Sequence, residues 1–380
     1  MDHLEKRETA SNRLQGRITE VSIEGFRSLK AVNRLPLPQL AVLIGANGVG
    51  KSSFVKFFEM LGWMLRPQKL QDFVLRNGGG DDQFFMGSRM TPQIRASISI
   101  VTDRGTNDYR FEMAHLSAGD AVMLTEEAYR YTDPNKGPGA HWTRIETIGK
   151  ESSLPSQKNK TAQTIYKLLR ECSTFQFHDT STTASIRQRW DIGDAARLRA
   201  DGGNLAAVLF DLKENDSTRY QQIVRQIQRV FPTLDDFVLE PFSGKVLLRW
   251  KGKHSDKTFG AHLTSDGSLR LFCLITLLNM PNERLPDVLF FDEPELGLHP
   301  HAITLVSEMI KRVAKTRQVF VATQSPFMVD CFELENILVA EASGGATTLH
   351  SLPREKYQQW LDDDYLVSDI WLKAPIGGEA

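Results

Sequence analysis

The chain has 380 residues, of which 41% are hydrophobic and 24% are charged, and its formal net charge at pH 7 is −1. This composition is typical of a folded globular protein and excludes a charged, disordered tail. The near-zero net charge also excludes a protein that binds nucleic acid through bulk positive charge, although a local basic surface stays compatible with it.

Cysteine content and apolar runs predict the compartment. Cys172, Cys273 and Cys331 lie far apart and form no CxxC pair, which argues against a disulfide framework or a zinc ribbon and favours a reducing compartment. The first residues are polar and lack the apolar core of a signal peptide. The sequence also lacks a run of about 18 apolar residues that could span a membrane. We therefore expect a cytoplasmic protein without a membrane partner.

The N-terminal part is predicted to begin with a polar arm over residues 1–16, followed by a β pattern from Ile18 to a turn at residues 25–28. Residues 40–44 form a continuous apolar run that stops at a glycine, which is typical of a buried parallel strand. A helix with a broad apolar stripe is predicted over residues 52–65.

The middle of the chain is predicted to contain an antiparallel meander, a surface excursion, helices and a second β segment. They cover residues 93–101, 108–116 and 121–131 for the meander, 133–160 for the excursion, 163–172 and 205–230 for the helices, and 235–262 for the β segment.

Strands and helices alternate in the last third, and each strand is followed by polar residues. The predicted helices cover residues 267–278 and 301–314, and the strands cover 288–291 and 319–322. This alternation predicts an α/β fold with a parallel sheet and a ligand crevice at the carboxyl ends of its strands. We expect three segments: a first part of this fold over residues 1–130, an inserted, mainly helical α+β lobe over 131–255, and a second part over 256–380.

Residues 45–52 match the phosphate-loop pattern G-x4-G-K-[ST], between a predicted buried strand and an amphipathic helix. Glycines let the backbone turn its N–H groups toward phosphate oxygens. Lys51 would contact the β- and γ-phosphates, and Ser52 would be a Mg2+ ligand. A plain glycine-rich turn is the alternative reading. The predicted nucleotide-binding residues of the loop are Gly45, Ala46, Asn47, Gly48, Val49, Gly50, Lys51, Ser52 and Ser53.

Two carboxylates follow the apolar strand at residues 288–291. Burying Asp292 and Glu293 there is costly unless a cation or hydrogen bonds meet them. We predict that Asp292 reaches the Mg2+ shell and that Glu293 is the general base that polarises the attacking water.

Four motifs occur in a set order: Gly-Phe-Arg-Ser at residues 25–28, Leu-Thr-Ser-Asp-Gly-Ser at 263–268, Asp-Glu-Pro-Glu-Leu-Gly-Leu-His-Pro at 292–300 and Thr-Gln-Ser-Pro at 323–326. The set resembles the P-loop ATPases of the ABC-type head, of the RecF, SMC and overcoming-lysogenization-defect (OLD) kind. It is most similar to small bacterial ATPases that lack a coiled coil. The resemblance covers about residues 18–66 and 256–341, and the short segment after Pro326 leaves no place for the Toprim domain of the relatives that cut DNA.

The resemblance implies that ATP and Mg2+ are the cofactors and that ATP clamps two copies into a homodimer. It assigns Ser265 and Gly267 to the signature loop, which caps the γ-phosphate bound by the opposite copy. A helix cap alone is the alternative reading of this turn. The resemblance also implies that Gln324 takes the place of the usual switch histidine. Arg27 is a candidate nucleotide contact, and a solvated surface arginine is the alternative reading. The glutamine that couples Mg2+ to lobe motion has two candidates, Gln83 and Gln93.

Three functions compete. The first is a Mg2+-dependent ATPase whose dimerisation regulates a separately encoded nuclease or toxin effector in anti-phage defence. The second is a RecF-like repair ATPase that binds DNA. Its candidate phosphate contacts are Arg187, Arg189, Arg197 and Arg199, and the alternative is that these arginines are solvated or paired with acidic residues. The third, a transporter nucleotide-binding subunit, is disfavoured by the long interval between Ser52 and Ser265 and by the lack of an LSGGQ-type signature.

Overall fold

The computed structural model of the chain describes residues 16–66, 69–135, 141–146, 149–254, 256–363 and 365–373, so the predicted polar arm lies outside them except for Gly16. The β-strands are β1 (Gly16–Phe26), β2 (Leu29–Pro36), β3 (Leu40–Ile44), β4 (Gln93–Thr102), β5 (Gly105–Leu116), β6 (Ala121–Thr132), β7 (Thr143–Ile145), β8 (Cys172–Phe175), β9 (Trp190–Asp191), β10 (Leu234–Phe237), β11 (Lys245–Val246), β12 (Arg249–Gly252), β13 (Thr258–Gly260), β14 (Val288–Asp292), β15 (Gln318–Ala322), β16 (Ile337–Ser343) and β17 (Ala346–Ser351). The α-helices are α1 (Lys51–Met64), α2 (Leu70–Arg76), α3 (Lys160–Leu169), α4 (Leu205–Asn215), α5 (Ser217–Val230), α6 (Asp266–Leu278), α7 (Pro300–Ala314), α8 (Pro326–Val329), α9 (Arg354–Asp362) and α10 (Val367–Lys373).

One sheet is antiparallel and has the order β2-β1-β4-β5-β6-β7. Its strands β4, β5 and β6 pair as consecutive antiparallel neighbours, which confirms the predicted meander. Buried and more exposed residues alternate along β4, as expected for a sheet with one face on the core. Strand β7 comes from the segment predicted as a surface excursion and extends the edge of this sheet.

The second sheet has the order β17-β16-β3-β15-β14-β8. Strands β16, β3, β15, β14 and β8 are parallel neighbours, and only β17 runs antiparallel to its neighbour β16. Every residue of β3, β14 and β15 is buried, which agrees with their unbroken apolar runs and with helices covering both faces of the sheet. The predicted α/β fold with a parallel sheet is confirmed.

Strand β8 corrects one prediction. The helix predicted over residues 163–172 ends at Leu169, and Cys172 begins a short strand that pairs with β14 from Val288 to Phe291. The predicted segment 131–255 therefore contributes an edge strand to the parallel sheet. Its proposed boundaries stay a prediction.

Helix α1 lies between the two sheets, and its phenylalanines contact both of them. Phe57 packs edge-on against Phe26 and is 6.3 Å from the ring of Phe111, both in the antiparallel sheet. Phe58 stacks on Phe290 of the parallel sheet at 4.6 Å. Such aromatic contacts fix the helix relative to both sheets, and with it the loop that precedes the helix.

The opposite face of the parallel sheet is covered by α4, α5, α6 and α7, which share one apolar core with alternate residues of the strands. A small sheet with the order β10-β12-β13 packs beside α6. There Trp250 donates a hydrogen bond from Nε1 to Thr264 Oγ1 at 2.9 Å. Thr264 directly precedes Ser265, the N-cap of α6, so this bond helps to fix the start of the helix. Among the described residues, no helix is long and apolar enough to cross a bilayer.

Candidate functional site

The loop over residues 45–50 joins β3 to α1 and curls through glycines with positive φ. Gly48 has φ +78° and Gly50, which precedes the helix, has φ +102°, a region in which side chains cost energy. A Cβ on Gly50 would lie 1.9 Å from Thr347 Oγ1. The loop therefore requires glycine at this position for space as well as for conformation.

Lys51 is turned back onto its own loop. Its Nζ donates hydrogen bonds to the main-chain oxygens of Gly45 at 2.6 Å and Ala46 at 3.0 Å, and the residue is only 6% exposed. Burial lowers the pKa of Lys51, while the carboxylates of Glu293 and Asp292 act in the opposite direction. The loop that carries Lys51 follows β3, and Asp292 and Glu293 lie at the end of β14. Because β3 and β14 both pair in parallel with β15, these residues lie at the same, carboxyl end of the parallel sheet.

A chain of hydroxyl groups supports the loop from behind. Ser28 Oγ lies 2.8 Å from Ser53 Oγ and 2.7 Å from Thr347 Oγ1, which also donates to the main-chain oxygen of Val49 at 2.7 Å. Ser53, predicted to bind nucleotide, is therefore engaged with the turn after β1. Thr347 lies in β17, was not among the predicted site residues, and is 2% exposed.

Asp292 ends β14 and is 9% exposed. Its Oδ2 accepts a hydrogen bond from Gln176 Nε2 at 2.8 Å, and its main-chain oxygen lies 2.8 Å from His178 Nε2. Because a carbonyl oxygen only accepts, Nε2 of His178 carries the proton. Burial raises the pKa of Asp292, and His178 and Gln176 oppose that shift.

Gln176 is the glutamine in contact with the Asp292 carboxylate, and neither of the two predicted candidates is. Gln83 is 1% exposed and donates to the main-chain oxygens of Asn77 and Gly79 at 2.9 and 2.8 Å. Gln93 lies in β4 of the antiparallel sheet. The pairing of β8 with β14 brings Gln176 to the site, and no motif in the sequence marked it.

Glu293 has an unusual backbone. Its φ is +45°, and its N–H donates to the main-chain oxygen of Ala322 at 2.8 Å. A left-handed conformation costs a residue other than glycine about 1 to 3 kcal/mol, and such strain clusters at active sites. The strand-to-strand hydrogen bond holds Glu293 at the end of β14, next to the carboxyl end of β15.

Glu295 is buried close by. Thr323 Oγ1 donates to its Oε1, whereas Oε2 is buried and has no hydrogen-bond partner among the described residues. Burial raises the pKa of Glu295. The next residue after Thr323 is Gln324, which is half-buried at the carboxyl end of β15.

The predicted signature loop opens α6. Ser265 is exposed, and its Oγ accepts a hydrogen bond from the N–H of Ser268 at 3.3 Å as the N-cap. A Cβ on Gly267 would lie 2.3 Å from the main-chain oxygen of Gly297. This close approach packs the start of α6 against the loop that follows Glu293 in the same chain.

Arg27 has φ +51° and is anchored by Gln83, whose Oε1 accepts from Nε at 3.2 Å and from Nη2 at 3.1 Å. Its pKa is lowered by burial. A cavity of about 390 Å³ opens beside it. The cavity is lined by Arg27, Ser28, Asp81, Asp82, Phe84, Phe85, Met86, Gly87 and Gly345.

Three of the four arginines considered as DNA contacts have acidic partners within the chain. Arg187 contacts Asp266 at 3.0 Å, Arg199 contacts Asp194 at 3.3 Å, and Arg197 is paired with Glu171. The fourth, Arg189, is exposed. No cluster of three or more His, Cys, Asp or Glu side chains that could hold a metal ion occurs in the described part of the chain.

Residues 168–330 match the family described as "AAA domain, putative AbiEii toxin, Type IV TA system". Comparison with curated proteins gave no match.

Three solved structures are similar over nearly their whole length. An Smc head bound to the C-terminal winged-helix domain of ScpA is 18% identical, with a TM-score of 0.55, and the match covers 90% of this chain and 99% of that chain. An Smc head from Pyrococcus furiosus bound to the C-terminal domain of ScpA is 17% identical, with a TM-score of 0.54 and coverage of 92% and 99%. An Smc head from Pyrococcus yayanosii is 13% identical, with a TM-score of 0.51 and coverage of 92% and 99%. The chain has the P-loop ATPase fold of SMC heads, and its predicted resemblance to the RecF/SMC kind is confirmed.

Proposed function

We propose that the protein is a Mg2+-dependent ATPase, that ATP joins two copies of the chain, and that closure of this pair regulates a partner effector. The observation that carries the proposal is that the phosphate loop after β3 and the residues Asp292 and Glu293 at the end of β14 lie at the same, carboxyl end of the parallel sheet, on either side of β15. Ligands of open α/β sheets bind at that end.

The residues present fit a Mg-bound nucleotide. The Lys51 ammonium group already bridges two carbonyl oxygens of the loop, so it is positioned to exchange them for phosphate oxygens. Ser52 is exposed at the first turn of α1, and Asp292 is a buried carboxylate, which is the oxygen donor set that Mg2+ prefers. Bound Mg2+ would neutralise charge on the β- and γ-phosphate oxygens.

Each protein group has a distinct proposed role. Glu293 accepts a proton from the attacking water, and its backbone is held in place by Ala322. Gln324 donates an amide hydrogen bond to the γ-phosphate. Ser265 and Gly267 present the N-terminus of α6 to the γ-phosphate held by the second copy, because helix N-termini bind anions.

The cavity beside Arg27 is the proposed place for the nucleoside. Met86, which is 59% exposed, supplies apolar surface suited to a base, and Ser28 connects the cavity to Ser53 of the phosphate loop.

The description of the matched family names a toxin of a type IV toxin–antitoxin system, which supports a role linked to a toxin effector. Anti-phage defence is the purpose that we propose for it. A DNA-bound repair ATPase is the second candidate, supported by the similarity to SMC heads. The internal pairing of Arg187, Arg197 and Arg199 counts against a dedicated DNA surface in that region.

The first test is the oligomeric state of Glu293→Gln. Without its base, this variant should bind ATP and Mg2+, hydrolyse ATP at least about 100-fold more slowly, and shift to a stable dimer in light scattering. ADP should not hold the dimer closed, and Lys51→Ala should not close with either nucleotide. Wild-type turnover in Glu293→Gln would show that Glu293 is not the base.

The second test asks whether the site is shared between two copies. Ser265→Arg should block closure by its bulk and leave ATP binding to the single copy intact. When inactive Ser265→Arg is mixed with inactive Lys51→Ala, one intact site forms from Lys51 of the first variant and Ser265 of the second, so activity should return. Full activity of Ser265→Arg alone would favour a self-contained monomeric ATPase.

A further inference from the structure

We infer that Arg270 is a positioning residue that joins the start of α6 to the loops that hold Asp292 and Glu293. As a result, the signature loop that one copy presents to the other copy's ATP moves together with the loops that serve its own ATP. The inference rests on the proposed function and concerns how its two sites are coupled.

The geometry of Arg270 is specific. It lies in the first turns of α6 and donates from Nε to the main-chain oxygen of Phe177 at 3.0 Å, from Nη2 to that of His178 at 3.2 Å, and from Nη1 to that of Leu296 at 3.1 Å. The planar, five-donor fork of arginine can bind three carbonyl oxygens at once, whereas the single ammonium group of lysine cannot span them.

The three carbonyl oxygens belong to two loops of the candidate active site. Phe177 and His178 follow β8, directly after Gln176, the donor to the Asp292 carboxylate. Leu296 lies in the loop that follows Glu293 and donates its N–H to the main-chain oxygen of Glu293 at 3.2 Å. Arg270 therefore fixes the spacing between the Gln176 loop and the Glu293 loop.

Two further contacts make the start of α6 part of the same unit. The backbone of Gly267 approaches Gly297 so closely that a side chain would not fit. Arg187 contacts the carboxylate of Asp266 at 3.0 Å and also donates to the main-chain oxygens of Thr180 at 3.0 Å and Ala261. A shift of α6 relative to the loop that follows Glu293 would therefore disturb both the hydrogen bond from Arg270 to Leu296 and the close approach of Gly267 to Gly297.

This arrangement has a consequence in the proposed dimer. The Ser265 of one copy caps the γ-phosphate held by the other, while its own Glu293 serves its own ATP. A rigid connection through Arg270 therefore couples the two sites, so that ATP binding or hydrolysis at one site changes the geometry of the other. Coupling between sites typically changes affinity or population by about 5- to 150-fold.

The experiment uses the mixed dimer of Lys51→Ala and Ser265→Arg, in which one site is intact. Arg270→Gln is added either to the Lys51→Ala copy, which supplies the working signature loop, or to the Ser265→Arg copy, which supplies the working Glu293. In the first placement we expect ATP-dependent closure to weaken about fivefold or more. In the second we expect kcat to fall by at least a similar factor while ATP binding to the single copy is unchanged.

Arg312→Gln is the matched control. Arg312 also donates to a main-chain oxygen of α6, that of Leu278 at 3.3 Å, but at the far end of the helix. The substitution Arg312→Gln should leave both ATP-dependent closure and kcat of the mixed dimer unchanged in either placement. Arg270→Lys keeps the charge but cannot span the three carbonyl oxygens, so it should show the same two losses to a smaller extent. It takes over the test if Arg270→Gln lowers the melting temperature strongly.

The outcomes separate three readings. If only the first placement weakens ATP-dependent closure and the second leaves kcat unchanged, Arg270 acts on the signature loop alone. If only the second placement lowers kcat, Arg270 acts on the hydrolytic loops alone. Either result overturns the inference. Unchanged activity in both placements overturns it as well. Failure of the mixed dimer with Arg270 intact would instead contradict the proposed shared site.

Discussion

Gln176 offers the most direct test of the site, because it was found only through the structure. Its Nε2 donates to Oδ2 of Asp292 at 2.8 Å, and Asp292 is 9% exposed. Replacing Gln176 with leucine keeps the approximate side-chain size and removes the donor, leaving a buried carboxylate oxygen without this partner. A hydrogen bond to a charged group contributes about 1.5 to 3 kcal/mol. If that free energy is lost from the Mg-binding conformation of Asp292, the Mg2+ requirement should rise about 10- to 150-fold.

The assay is ATP hydrolysis as a function of Mg2+ at fixed ATP, with ATP binding in the absence of Mg2+ measured separately. Gln176→Leu should raise the half-saturating Mg2+ concentration by this factor and leave metal-free ATP binding unchanged. Gln188→Leu is the control, because Gln188 is an exposed glutamine in the same part of the chain. An unchanged Mg2+ dependence and an unchanged kcat in Gln176→Leu would refute the assignment of Gln176 as the residue that orients Asp292.

Two other predictions concern the loop and a DNA partner. Gly50→Ala should lower the free energy of unfolding by about 2 to 4 kcal/mol in urea denaturation, because it adds backbone strain and a contact with Thr347. Gly48 also has a positive φ, but a Cβ built on it has no atom within 4 Å. Gly48→Ala should therefore lower the free energy of unfolding by only about 1 to 2 kcal/mol, and equal losses in the two variants would contradict the packing argument. Any DNA binding should be strengthened by ATP, which joins two weak surfaces, and should weaken strongly between 50 and 200 mM salt. A tight, salt-insensitive complex formed without nucleotide would contradict this.

The parallel sheet could be predicted because its central strands carry their own signal. Residues 40–44, 288–291 and 319–322 are apolar without alternation, and all are buried in the structure. The polar residues that follow them, including Asp292 and Gln324, lie at one edge as the parallel order requires. Local pattern and tertiary environment agree here, so the fold class and the approximate element positions follow from sequence.

Strand β8 could not be found in the same way. It has four residues, Cys-Ser-Thr-Phe, which lack the apolar run of the central strands and follow directly on a helical pattern. Its strand conformation depends on pairing with Val288 to Phe291, far away in the chain. β-propensity of this kind reflects neighbours more than the local sequence. Thr347 was missed for the same reason, since its contacts with Ser28 and Val49 come from β17, far along the chain.

The position of β8 also determines which parts of the chain the site needs. Its carboxyl end supplies Gln176 to the Asp292 side chain and His178 to the Asp292 backbone, and the carbonyl oxygens of Phe177 and His178 to Arg270. These contacts all come from the segment predicted as an insertion, and they meet residues of the last segment. A strand at the edge of a parallel sheet gains its register from one neighbour only. The hydrogen bonds beyond its end therefore add to the pairing with β14 in holding β8 in place, and the same contacts that orient Asp292 help to keep the middle segment docked on the sheet.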